Sequence, residues 1–354
     1  MSDVSQWVGP PHPGPLHGGE REIAPRQTSG ILQGLVTLAA VVIATLPAIA
    51  QTPAPPVPGS SWSMPPDAQR CPSKWGAGDQ RGSGNWMKPE IVLKAARLIK
   101  TGETFELAAV LSPDPKESFI NEGRVFNIYT KQLQPTPNTR SVNEELVVTE
   151  LGQIGTQFDA YAHQMWGDTF YNCFKLADIG TRSGYKKLGV ETVGGLMARG
   201  VLIDVAGLKG VDTLADSTII TPEDLQAALA RQNVRLEPGD AILIRTGWSG
   251  LMGRENERYG RRNAGLGVAA GQWLVTQDPM LVGSDNCCIE VRPSEPPHSL
   301  PIHSMMLIQH GIYLIENLLL DKMAAAKAYE FAFIVQPLKI KGGTGSAVAP
   351  MAIR

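Results

Sequence analysis

Apolar residues in this chain gather into short runs separated by glycine, proline and acidic turns. Val201-Leu202-Ile203-Asp204-Val205 and Ala241-Ile242-Leu243-Ile244-Arg245 are β-branched-rich runs near glycines, the pattern of buried strands. Pro238-Gly239-Asp240 supplies the turn before the second. Residues 312–315 and 331–335 read the same way. Helices are announced by their ends: Pro89 opens an apolar-periodic stretch to residue 99 and Gly102 closes it. Thr221-Pro222-Glu223-Asp224 combines a capping residue, a first-position proline and an acid three residues after the cap, launching a helix from 225 to 232. A third helix is expected over residues 321–327. Strands and helices mix without strict βαβ alternation, which predicts one layered α+β domain spanning residues 71–354.

The first 70 residues do not fit that pattern. Arg26 precedes an apolar run over residues 31–50, which ends in Ala48-Ile49-Ala50 before Gln51, a small-x-small cleavage pattern. Residues 1–50 therefore read as leader and signal peptide, with no stable membrane anchor after cleavage and an exported, periplasmic or secreted product. Residues 1–25 carry no targeting logic and read as an extension upstream of the true start. Residues 51–70, opening Gln51-Thr52-Pro53-Ala54-Pro55-Pro56, read as a Pro-rich linker.

Composition narrows the function. The 354 residues are 43% hydrophobic and 19% charged, with a net charge of −2, so the chain is globular and has no basic excess for nucleic acid. Of the cysteines Cys71, Cys173, Cys287 and Cys288, the adjacent pair is unsuited to bonding within itself. Export permits disulfides, so pairing and buried free thiols both stay open. None reads as a nucleophile.

The segment from Glu150 to His163 is polar where a core strand would be apolar. As a strand it places Gln153, Gly155, Gln157 and Asp159 on one face, with Gly155 leaving room for a ligand or a second backbone. His163 can return beside Asp159. A carboxylate that orients an imidazole of pKa near 6.5 is suited to general base work, and two carboxamides can hold an amide or an oxyanion. A buried polar network bracing the sheet is the competing reading.

Gly155, Thr156, Asp159 and His163 match the spacing His-x-Gly-Thr-His-x-Asp-x-x-x-His, and the chain thereby resembles the cyclase family that includes kynurenine formamidase and isatin hydrolase. Four further segments in order extend the resemblance: Lys74-Trp75-Gly76-Ala77-Gly78-Asp79-Gln80 through Asn85; Gly283-Ser284-Asp285 with Glu290; Pro301-Ile302-His303 through Glu316; and Gly342-Gly343-Thr344-Gly345-Ser346 before Pro350. The resemblance implies a swivelling β/β/α fold, assembly as a homodimer or homotetramer, and hydrolysis of a carbon–nitrogen bond in an amide, formamide or cyclic amide (arylformamidase-like). It further implies His163 and Asp159 as catalytic residues. A divalent metal, Zn or Mn, would be held by Asp159, His303 and Glu316.

The departure from the motif matters as much as the match. Gln153 and Gln157 stand where the family has metal-binding histidines, and an amide oxygen is a poor ligand for zinc or manganese beside imidazole. The expectation is a variant with metal weak or absent, in which Gln153, Gln157 and Trp75 contact the substrate. A metal-free lactonase or lyase and a non-catalytic small-molecule binding protein are the alternatives. Asp285 is expected to brace the site and Thr246-Gly247-Trp248 to rim it. Asp204 reads as a backbone-bonding residue, and His298 and His310 have weaker claims on the site.

Overall fold

A computed structural model describes residues 62–119, 123–132 and 142–354. The expected leader and signal peptide, and residues 51–61 of the expected linker, lie outside the described residues. The end of that linker is folded: Asp67–Arg70 forms a helical turn, and Trp62 is buried against Val268 and Met305. The packed region therefore starts before Cys71. Among the described residues no helix is long and apolar enough to cross a membrane.

A nine-stranded mixed sheet organises the fold. Its centre is four parallel strands, Leu196–Asp204, Ala241–Arg245, Leu281–Ser284 and Tyr313–Glu316. Their near-continuous apolar sequence follows from burial on both faces; every residue of Ala241–Arg245 is buried. Glu330–Val335 flanks one side antiparallel and is followed by Met351–Ile353 and Thr104–Glu106. On the other side Gln157–Asp159 pairs antiparallel with Tyr313–Glu316 and with Gly345–Ala347. The α+β class is as expected.

Helices pack around the sheet and its connections. Pro89–Ala96 lies on the Leu196–Asp204 strand and is shorter than its sequence pattern predicts. Pro222–Gln232 begins with the predicted capping box, Thr221 accepting from the Asp224 backbone while the Asp224 carboxylate accepts from the Thr221 N–H. Val268–Thr276 packs against it. The helix expected over residues 321–327 is present as Asp321–Ala325.

Two features brace the sheet at the start of the Tyr313–Glu316 strand. Tyr161 stacks on Tyr313 with ring centroids 4.5 Å apart, and its hydroxyl donates to the Gly311 carbonyl at 2.6 Å. Gly82 sits beneath them at φ +45°, where an added Cβ would lie 2.3 Å from the Tyr161 hydroxyl oxygen. The Asp79 carboxylate gathers Gly82 N–H (2.8 Å), Asn85 Nδ2 (2.7 Å) and the Tyr171 hydroxyl (2.8 Å). The first family-like segment is thus a turn organiser. Trp75 within it sits edge-on to Trp86 at 5.7 Å.

Cys71 and Cys173 form a disulfide across 102 residues, while Cys287 and Cys288 are free thiols. A crosslink closing so long a loop removes much of the unfolded chain's freedom. A Cys71→Ser/Cys173→Ser double variant should therefore lose about 2–4 kcal/mol of unfolding free energy by urea titration. Unchanged stability would mean that the unfolded chain is already restricted there.

Candidate active site

The site lies at the carboxyl end of the Tyr313–Glu316 strand, and the register of its neighbour builds it. Glu316 is directly opposite Gln157, and Leu314 is opposite Asp159. Cross-strand partners lie close enough for side-chain contact, and Gln157 Nε2 donates to Glu316 Oε2 at 2.8 Å. Period-two alternation puts Asp159 on the same face as Gln157.

The strand is shorter than the polar pattern predicts. It begins at Gln157, and Gln153 reaches the site from a preceding turn rather than along a shared strand face. Gly155 is in that turn at φ +53°, with a would-be Cβ 2.2 Å from Leu111 Cδ2. Its missing side chain serves the turn and Leu111, not a ligand.

Gln153 contacts both catalytic candidates. Its Nε2 is 3.1 Å from Asp159 Oδ1 and 3.2 Å from His163 Nδ1. The latter contact holds the ring through Nδ1, and the proton of neutral His163 sits on Nδ1 or Nε2 according to the tautomer. Asp159 Oδ1 is 4.0 Å from that Nε2, beyond a hydrogen bond. The carboxylate expected to orient His163 is therefore close by, and the orienting contact comes from Gln153. Burial lowers the basicity of His163; Asp159 pulls it back up, while His303 and the exposed Arg124 push it down further.

His303 comes from the helical turn Pro301–His303, which continues as a π-helix over Ser304–His310. Its Nδ1 is 2.8 Å from Glu290 Oε1 and its Nε2 is 3.0 Å from Glu316 Oε1. Asp159 Oδ2 is 3.8 Å from the same Nε2. Burial opposes charge on this imidazole, but the hydrogen bonds and charges of Glu290 and Glu316 outweigh it and hold His303 protonated well above the usual range. Burial likewise pushes Glu316 up to about 7, against the pull of His303.

Glu290 carries more weight than the sequence assigned to it. Its carboxylate accepts from His303 Nδ1–H at 2.8 Å and from the backbone N–H groups of Ile302 and His303, both at 3.2 Å. The available signal was an acid inside Ile289-Glu290-Val291, all three of which are buried. Asp285 accepts from Thr246 N, Thr246 Oγ1 and Gly247 N at 2.6–2.8 Å and so holds the Thr246–Gly247 turn. Asp204 caps Gly207 N and pairs with Arg245. His298 packs edge-on between Trp62 and Trp166. His310 lines a separate cleft with Lys74 and Asp278, and burial pulls it down to about 4.

Two acceptors in the site, Gln157 Oε1 and Asp159 Oδ2, are buried without a hydrogen-bond partner. Each such group costs on the order of 1–3 kcal/mol, so the site is built to receive a donor or a cation. Asp159, His163 and His303 offer ligand atoms within 4.8 Å of one another. Glu316, expected as a metal ligand, is not among this trio; Gln157 and His303 hold its two oxygens. The spacing of the trio suits a cation, and each imidazole would have to present an unprotonated nitrogen to it.

A family model described as "Putative cyclase" matches residues 90–291. A crystal structure described as a novel cyclase is 31% identical, with TM-score 0.74 over 82% of this chain and 100% of that one. Isatin hydrolase A from Ralstonia solanacearum is 21% identical, with TM-score 0.54 over 75% of this chain and 97% of that one. Isatin hydrolase A from Labrenzia aggregata, bound to benzyl benzoate, is also 21% identical, with TM-score 0.52 over 71% and 93%. No curated protein sequence matches the chain. With a family model covering more than half of it and a 31%-identical relative matched end to end, this chain belongs to the cyclase family.

Proposed function

We propose that this chain is a hydrolase that opens a carbon–nitrogen bond of an amide, formamide or cyclic amide at the Asp159–His163–His303 cluster. The observation that carries this reading is the convergence of those three groups around two buried, unpartnered acceptors, within the fold that isatin hydrolases share. The unpartnered Gln157 Oε1 and Asp159 Oδ2 accept from a substrate N–H or from the attacking water. Neutral His163 is the general base: it takes a proton from the attacking water and, as imidazolium, gives it to the leaving nitrogen. Gln153 holds the ring through its contact with Nδ1. His303, held cationic by Glu290 and Glu316, places positive charge beside the anion that develops on the carbonyl oxygen.

A divalent cation held by Asp159, His163 and His303 would supply Lewis acidity toward the carbonyl. The glutamines make that site weak. Calorimetric titration of the purified chain with Zn²⁺ or Mn²⁺ is expected to show weak binding, at least about tenfold weaker than in a Gln153→His/Gln157→His variant. A full-occupancy metal that co-purifies and is essential for turnover would overturn this. Turnover across a side-by-side panel of amides, cyclic amides, esters and lactones tests the reaction class; cleavage of lactones alone would sink it.

Two further readings belong here. The Cys71–Cys173 bond supports export to an oxidising compartment, and a mature protein that retains residues 1–50 would contradict it. The two-stranded arm Phe126–Gln132 and Asn143–Thr149 exposes Ile128, Tyr129, Leu146, Val147 and Val148. An isolated hairpin is marginal in water, which supports a homodimer or homotetramer that covers it. A monomer by light scattering would exclude that.

A further inference from the structure

The loop after the Leu281–Ser284 strand carries Cys287 and Cys288, and their sulfurs are 2.9 Å apart with both thiols free. A disulfide bond is about 2.05 Å long, so closure needs a movement of about 0.9 Å. The loop holds the pair in place from one side chain. Asn286 Oδ1 accepts from Ile289 N (2.8 Å) and Cys288 N (3.4 Å), and Asn286 Nδ2 donates to the Ala264 carbonyl (2.6 Å). Cys287 is buried over the Tyr259 carbonyl and Asn263, while Cys288 is half-buried.

We propose that Cys287 and Cys288 form a reversible redox site that closes to a vicinal disulfide. The oxidant is a low-molecular-weight disulfide such as oxidised glutathione. Cys288 as thiolate attacks one sulfur of the oxidant, forming a mixed disulfide and releasing one glutathione thiolate. Cys287 as thiolate then attacks Cys288 Sγ and expels the second. Two protons leave the cysteines and are taken up by the two glutathiones; the cysteine pair loses two electrons and the glutathione disulfide gains them. Contact with Cys287 and burial raise the Cys288 thiol well above its ordinary range; Glu316 adds to this and Arg292 opposes it. Closure is therefore slow at neutral pH and quickens about tenfold per pH unit while the thiol stays mostly protonated.

The pair bears on the active site through Glu290. The Glu290 N–H donates to the Cys288 carbonyl at 2.5 Å, and its carboxylate holds His303. A ring closed between residues 287 and 288 changes the turn that delivers Glu290.

The test uses the full chain with Cys71–Cys173 intact, incubated with oxidised glutathione, trapped with N-ethylmaleimide and read by peptide mass. The expected product has lost the mass of two hydrogens in the fragment holding both cysteines, takes no maleimide there, and reverts with dithiothreitol. Cys287→Ser should instead accumulate a glutathione adduct on Cys288. Two maleimides on wild-type chain after oxidation, or a lasting glutathione adduct on wild-type Cys288, overturns the proposal; this holds whether or not the variant folds. Amide hydrogen exchange over residues 285–303 should differ between the two forms, and identical exchange would remove the link to Glu290. None of these readouts depends on the hydrolase assignment.

Discussion

His163→Ala lowers kcat/KM for an amide substrate by about 10²–10⁴-fold, the range that a positioned proton-transfer group contributes. The expectation rests on where His163 sits. It is the imidazole of the site that burial keeps neutral, whereas His303 is held cationic between two carboxylates. A neutral imidazole can give or take a proton in the transition state; a cation locked to two acids cannot do so cheaply. Because burial lowers the pKa of His163, its neutral form persists as the pH falls through the ordinary value near 6.5. The acid limb of kcat/KM should therefore lie below that value. Arg124 contributes to the lowering, so Arg124→Gln should move the limb upward. Wild-type turnover by the alanine variant would remove His163 from the chemistry. Gln153→Ala separates orientation from proton transfer: it leaves the imidazole present but frees Nδ1, so its loss should be smaller than that of His163→Ala.

The frame of this molecule was readable because its strands and helices carry local signals. Ala241–Arg245 is an unbroken buried run, and Pro222–Gln232 is bounded by a capping box that forms as the sequence predicts. The Gln157–Asp159 strand was harder, because polar alternation over residues 153–159 suits a longer strand. The turn at Gly155, set against Leu111, ends the pairing early. The contacts of Gln153 and Glu290 are not legible in the sequence for a related reason. Their importance lies in what they touch, and those partners are ten and thirteen residues away in the chain, His163 and His303. Spacing shows that Asp159 and His163 can meet; it does not show that a carboxamide stands between them. The expectation that adjacent cysteines stay unbonded rests on the strain of a two-residue ring, and the structure brings their sulfurs to 2.9 Å without closing it.

Glu290→Ala should cost about 3–5 kcal/mol of unfolding free energy, the penalty for removing one partner of a buried charge pair. Glu290 is 1% exposed, His303 3% and Glu316 3%, so water cannot replace what is lost. The substitution leaves His303 Nδ1 and the backbone N–H groups of Ile302 and His303 without their acceptor. Glu290→Gln keeps an acceptor oxygen but not the charge, and its loss should be smaller, about 1.5–3 kcal/mol. The pH dependence gives a second check. The folded-state pKa of His303 is raised above its unfolded value, so its contribution is fully present below about 6.5 and fades as pH rises through the folded pKa. The gap between wild type and Glu290→Ala should therefore be widest in mild acid and narrow in alkali. Urea titrations at several pH values would show it. A gap below about 1 kcal/mol at every pH would mean that His303 is neutral in the folded chain, and that the positive charge assigned to the site is not there.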